Sequence, residues 1–483
     1  MRDTLRRRIR FQPAESLVQF DVADTSDDTF DTFIERVIVI ALAFCPLAIG
    51  AVQPWSQGIF VALCAAAALA LALKLINRAD VKFVWSWAYA PIALFVALVI
   101  FQYVPLPAHW VRVISPRTVE LKGELLATMP GAEERLKWVK LTFYPNATAR
   151  DLRLLLAVSA LFVVTVNVVR RLSQVHRLVI AMTVIGGAFG VIALVQNVTQ
   201  AGHIYGIIRT FTGHANAGPF INQNHGAQFF NLVLGASLAL LLLTLHRLFR
   251  RDDYDLEEVI EKLKGEQMRW GWVAAATATM AAAAVVFTLS RGGMLAMLVA
   301  GTITGILAAR TGRFSVKGWL LSLVGLTVLL LVIYVGFDAL FARLATVADR
   351  RFADTRRQIV LDSMPIWKEY RLVGTGLGTH EVVYPAYQHI ESTTNYTHAE
   401  NEYAQSITET GFIGIALVGM FLLVVAGNFF TAVWGASSAS SLAVGLGFGV
   451  IAVLVQSAAD FAPHFPAVAS WLAVSFALIG NLA

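Results

Sequence analysis

Charged residues are scarce in this chain. They make up 14% of 483 residues, against 57% hydrophobic, where a soluble domain carries about a quarter. With a mean hydropathy of +0.65, that scarcity excludes an ordinary soluble domain. Cysteine is scarcer still: only Cys45 and Cys64 occur. Both fall in apolar stretches, so no disulfide framework is available and the compartment is not read from cysteine. No HExxH, no solenoid-length repeat and no basic, aromatic-interleaved domain is present. The net charge of +6 is therefore not a nucleic-acid footprint, and no nucleic-acid partner is expected. The polar N-terminus contains Arg6-Arg7-Arg8 but no apolar core followed by a small-residue cleavage site. No cleavable signal peptide is expected.

Apolar runs are what the chain has in abundance. Runs of about 20 residues recur along it, each able to cross ~30 Å of hydrocarbon. Twelve spans are expected, at roughly 37–52, 58–76, 83–101, 152–169, 178–198, 226–245, 272–290, 292–309, 318–337, 403–433, 442–459 and 465–481. The expected fold is all-α, a polytopic transmembrane helical bundle, with a kink at Pro46. Lysine and arginine set the orientation. With the N-terminus inside, the inner loops carry Arg78, Lys82, Arg170, Arg171, Arg177, Arg310, Arg313 and Lys317, and the outer short loops only Arg209 and Arg291. Both termini are thus expected in the cytoplasm. The organisation is a cytoplasmic tail 1–36, a membrane core 37–337 with an outer loop 102–151, a large outer loop 338–402, and final spans within 403–483. Segment 252–269 has Leu256, Val259, Ile260 and Leu263 at helical spacing, which predicts an amphipathic helix on the inner surface.

Chemistry then falls to the outer loops and span ends. Arg291 lies in FTLSRGGML between two spans with almost no loop. Its planar fork of donors suits phosphate; an arginine snorkelling to headgroups is the plainer alternative. The segment 199–225 brings Arg209, His214, Asn216, Asn222, Asn224 and His225 close to the membrane. Amides and imidazoles there suit sugar hydroxyls and phosphate oxygens, or a re-entrant loop satisfying its own backbone. In the second outer loop Arg350, Arg351, Arg356 and Arg357 precede GTGLGTH at 374–380. That glycine run lacks the βαβ context of a dinucleotide site and predicts a tight turn or a close backbone approach to a ligand. His398 and Glu400 stand just before a span. Either could take a proton from a sugar hydroxyl, or serve as a polar helix cap. A metal site is the rival, from His380, His389 and His398 with Glu381, Glu391 and Glu400. Their nine-residue spacing fits no helical ligand face, so no metal and no cofactor is expected.

Several motifs are familiar as a set: VPLPAHW, VISPRT and LTFYPNATARDL, then FINQNHGAQFF, TLSRGGML, RRQIVLDSMPIW, LVGTGLGTH, ENEYAQSITETGFIG and SAADFAPHFPA. In this order and topology the chain resembles the O-antigen ligase-like superfamily of bacterial inner-membrane glycosyltransferases. That superfamily includes O-antigen ligases, O-antigen and exopolysaccharide polymerases, and some protein O-oligosaccharyltransferases. The family signature has His-Asn, nine residues, Gly, two residues, Gly. Here Glu400-Asn401 opens that spacing, closing at Gly411 and Gly414, so glutamate holds the usual histidine position.

The resemblance implies a GT-C-like bundle with periplasmic loops. It implies metal-independent, inverting transfer from an undecaprenyl-pyrophosphate-linked oligosaccharide to a sugar hydroxyl, on a lipid A-core or a lipid-linked repeat unit, among membrane lipids. Arg291, Arg209, Arg356 and Arg357 would hold the pyrophosphate. Glu400 or His398 would be the base, and His214, Asn222, Asn224, Asn401 and His380 would meet glycan or acceptor. A glycolipid flippase is the alternative from another class. It should carry charge along mid-span faces, which these spans nearly lack.

Overall fold

A computed structural model describes residues 28–78, 80–210, 213–249, 254–310, 350–389 and 395–483. The expected ninth span 318–337, the arginine run at 6–8 and Glu391 lie outside the described residues.

Seventeen helices are present among the described residues. They are α1 (Thr29–Leu47), α2 (Pro54–Asn77), α3 (Tyr89–Tyr103), α4 (Ala108–Ile114), α5 (Pro116–Leu126), α6 (Ala132–Arg135), α7 (Pro145–Val168), α8 (Leu172–Val198), α9 (Gln223–Leu248), α10 (Leu256–Lys264), α11 (Arg269–Phe287), α12 (Arg291–Arg310), α13 (Arg350–Glu369), α14 (His380–Val383), α15 (Glu402–Trp434), α16 (Ser437–Gln456) and α17 (Pro466–Leu482). Eight of these are long and apolar enough to cross a membrane, and α3 and α17 are shorter apolar helices. Every expected span on described residues coincides with a helix. Large side chains such as Leu69, Ile76 and Leu423 point outward, as a lipid-facing surface requires. The fold is an all-α polytopic bundle.

α1 starts at Thr29, earlier than the expected 37, because its first charges find partners. Asp31 pairs with Lys74 of α2 at 2.5 Å, and Glu35 with Arg177 of α8 at 2.9 Å. Pro46 ends α1 rather than kinking it: the helix stops at Leu47, and Ile49 to Ala51 follow at positive φ. The amphipathic helix appears as α10.

α9 is the buried axis of the bundle and packs on α8, α11 and α16. Small residues permit the α9–α16 contact: a Cβ on Gly235 would lie 2.6 Å from the Gly449 nitrogen.

The expected loop 102–151 is largely folded. It holds α4 to α6 and a two-residue ribbon pairing Leu106 with Val139 and Pro107 with Trp138. Its small core, Leu98, Val111, Val119 and Leu141, also takes in Val373 and Leu417. α15 is broken at Gly411 (φ 65°, ψ −166°) into pieces 402–410 and 412–434. Chain 372–376 crosses at this break. Arg371 O accepts Phe412 N–H at 2.7 Å, while Thr375 and Gly376 donate to the carbonyls of Thr408 and Glu409 at 3.0 Å. A Cβ on Gly374 would lie 2.3 Å from the Glu409 carbonyl carbon, and one on Gly411 2.4 Å from that of Leu372. Within the glycine run Gly374 thus approaches the Glu409 backbone, while Gly376 approaches Thr142 and Gly378 the Asp151 side chain.

Candidate functional site

Polar residues converge where the expected outer helix ends meet. The first turns of α7 supply Arg150 and Asp151. The leading piece of α15 supplies Glu402, Tyr403, Ser406 and Glu409, the α16–α17 turn supplies His464 and Phe465, and His398 closes the wall. They line a chamber of about 400 Å³. An apolar cavity of about 230 Å³ shares its walls Phe95, Val158, Phe421, Leu472 and Phe476. The polar chamber thus adjoins an apolar slot between α3, α7, α15 and α17.

The α16–α17 turn organises this locus. Its carbonyls at Ser457 and Asp460 accept the Glu402 N–H at 2.9 and 3.1 Å. Ala458 O accepts the Asn401 amide at 2.6 Å, and Ala459 O accepts Arg356 Nη1 at 2.9 Å. Asp460 is buried and takes Gln228 Nε2 at 2.9 Å. Burial, with the charge of Glu400 adding to it, pushes the Asp460 pKa up to about 7. His464 Nε2 lies 3.3 Å from Glu402 Oε2. Burial alone would lower the His464 pKa, but the carboxylates of Glu402, Glu409 and Asp151 hold it above its ordinary value. Arg150 is tied to Asp151 at 2.7 Å. Glu409 is enclosed by three donors: Gly378 N–H at 2.8 Å, His380 N–H at 3.1 Å and Gln405 Nε2 at 3.1 Å.

Of the residues expected from sequence, His398, Glu400, Asn401 and Arg356 come together here. The His398 ring stacks on Phe461 at 4.1 Å, with Nδ1 3.2 Å from the Gln405 side chain. Burial, reinforced by His464, depresses the His398 pKa to about 2. The ring is thus neutral and a weak proton acceptor. Glu400 stands at φ 54° and pairs with Arg356 at 2.8 Å. Burial raises the Glu400 pKa against the pull of Arg356. The Asn401 side chain caps α15, accepting Ala404 N–H at 2.9 Å, so both its polar atoms serve the backbone. His380 is buried against Tyr384 at 5.0 Å. Burial, then His464, lowers its pKa to about 4.

The other expected residues lie apart. Asn222 caps α9, and Asn224 Oδ1 accepts the Ser290 hydroxyl at 2.8 Å. Arg291 opens α12 and is exposed, as are Arg209, His214 and Arg357. None of Arg209, Arg291, Arg356 and Arg357 lines the chamber. The side chains of Arg350 and Arg351 lie outside the described residues. The three histidines of the metal alternative are dispersed: His389 pairs with Asp362 at 3.0 Å, while His380 and His398 stack on separate aromatic rings.

Sequence reasoning passed over Arg150, Asp151, Glu402, Glu409, Asp460 and His464. A signal was present in two of them. Glu402 and Glu409 are acids seven residues apart at the start of a span, where an ionisable residue marks function by default.

Residues 275–419 match the family described as O-Antigen ligase. The matched stretch runs from α11 through the Ser290-Arg291-Gly292 turn and α13 to the first half of α15, and so includes His398, Glu400 and Gly411. It supports the O-antigen ligase-like superfamily, and with it a ligase- or polymerase-type function acting on lipid-linked saccharide and an acceptor. No curated protein matches the chain.

Proposed function

We propose that this protein is a glycosyltransferase moving a glycan from undecaprenyl pyrophosphate to a sugar hydroxyl, at the periplasmic face of a bacterial inner membrane. The observation carrying this reading is the polar chamber sharing walls with an apolar slot, bordered by the family-matched segment. Transfer between membrane-embedded substrates needs a polar compartment for sugar beside an apolar one for lipid. The lysine and arginine bias favours a chamber on the outer side.

In the proposed reaction the acceptor oxygen bonds to the anomeric carbon from the face opposite the leaving group. The bond from that carbon to phosphate oxygen breaks, and undecaprenyl pyrophosphate leaves with the electron pair. The acceptor proton passes to Glu400, assisted by His398. Glu400 is the stronger acceptor because burial raises its pKa while His398 is depressed. Arg291, Arg209, Arg356 and Arg357 are the proposed pyrophosphate partners, able to stabilise charge on the leaving group without a metal. Asn222, Asn224 and Asn401 are engaged by their own surroundings, so their contribution is to shape the loops. His214 and His380 remain the proposed glycan contacts.

The test is chemical analysis of envelope glycans from a deletion strain, complemented with wild type or Arg291→Lys. Lipid A-core without polymer marks a ligase, and single repeat units or loss of secreted polymer marks a polymerase. Arg291→Lys keeps the charge but loses the fork, and should abolish most product while the protein still inserts. Unchanged glycans in the deletion, or lipid-linked oligosaccharide retained on the inner leaflet, would replace transfer with another function.

A further inference from the structure

We propose that the chamber seats the uncharged, hydroxyl-rich sugar of the acceptor, read by the Glu402–His464 and Arg150–Asp151 pairs, and is not the pyrophosphate seat. This rests on the glycan-transfer reading above and deepens it.

The charges of the chamber decide the class of ligand. Its walls carry Asp151, Glu402 and Glu409 against Arg150 and His464. Arg150 is already neutralised by Asp151, with Nε–Oδ1 2.7 Å and Nη2–Oδ2 3.4 Å. Pyrophosphate recognition needs an uncommitted arginine fork or a surplus of positive charge, and the chamber supplies neither. A sugar hydroxyl differs because it both donates and accepts. Carboxylates take its proton side, while arginine and histidine N–H groups meet its oxygen.

Two buried atoms in the chamber wall, Glu402 Oε2 and His464 Nε2, lack hydrogen-bond partners among the described residues. They face each other at 3.3 Å. A hydroxyl that parts the pair would donate to the first and accept from the second. Glu409 differs, since its three donors hold it beside the break in α15. The His398 ring lies 5.4 Å from that of His464, so a hydroxyl held by the pair is next to His398, the proposed assistant; Glu400 itself does not line the chamber. Phe465 adds an aromatic wall, and about 400 Å³ falls within the span of small-molecule pockets.

The test uses the full-length protein in nanodiscs and a panel of hexyl glycosides (gluco, galacto, manno and N-acetylglucosamine), with hexyl phosphate as the anionic probe. Thermal unfolding is the readout. At least one glycoside should raise the midpoint and hexyl phosphate should not. Glu402→Gln should weaken that glycoside about tenfold. Should Glu402→Gln fail to fold, Ser406→Leu fills the same wall while leaving both charged pairs, and should abolish the shift. Stabilisation by hexyl phosphate alone, or by no probe, overturns the assignment, as does an unchanged shift in both variants. Loss of sugar binding with normal dependence of envelope glycans on the gene would sink only the subsite. Sugar binding with envelope glycans unaffected by deletion would sink only the transfer reading.

Discussion

Arg356 Nη2 sits 2.8 Å from Glu400 Oε2, and the same guanidinium donates through Nη1 to the Ala459 carbonyl. One side chain of the second outer segment thus ties the residue at the family's histidine position to the last interhelical turn. The pair is partly exposed, at 44% and 24%, so its net stability contribution should be below about 1 kcal/mol. Arg356→Ala should therefore shift the melting midpoint little while sharply lowering glycan product. Glu400→Gln should be nearly inactive and His398→Asn only impaired. The reverse ranking in a complementation assay would move the base to His398, and full turnover in the double variant would exclude both.

Gly411 holds the break in α15. At φ 65°, with a Cβ that would lie 2.4 Å from the Leu372 carbonyl carbon, Gly411→Ala combines backbone strain with a clash. It should cost about 3 kcal/mol or more. Gly419→Ala meets nothing within 4 Å and should be neutral. Fluorescence-detected unfolding of the two proteins would check the contrast, and equal midpoints would refute the crossing.

Asp460 should make stability fall as pH rises. Its folded pKa, about 7, exceeds its ordinary 3.8 because of burial first and the charge of Glu400 second. The folded state then holds the proton more tightly than the unfolded chain. That contribution is complete below about pH 4 and disappears as pH climbs through 7. Asp460→Asn removes the titration and keeps the bond from Gln228. The midpoint difference between variant and wild type should grow in the variant's favour from pH 4 to pH 8. A flat difference would show that Asp460 ionises freely.

The first outer segment and the start of α8 should label on opposite sides of the membrane. Thr128 and Ser173 are both exposed, and the native Cys45 and Cys64 are buried, so they should stay silent. In intact spheroplasts Thr128→Cys should react with a membrane-impermeant thiol reagent and Ser173→Cys should not. The reverse pattern would overturn the placement of the chamber outside.

The sequence by itself determined where apolar helices lie along the described residues. An apolar run of about 20 residues has one stable state in hydrocarbon, since every backbone group must bond within its own helix. It also pointed to the locus of His398, Glu400 and Gly411, because residue types and spacing are local facts. Only the tertiary structure decided that Asp31 and Glu35 belong inside α1, since their stabilising charges, Lys74 and Arg177, come from other helices. It alone decided that Gly374 packs on the Glu409–Thr410 backbone and Gly411 on the Leu372–Val373 backbone. The chamber is the clearest case. Arg150 and His464 are more than 300 positions apart, and no periodicity or motif spacing encodes a contact between such segments. Their meeting depends on how α7, α15 and the α16–α17 turn pack.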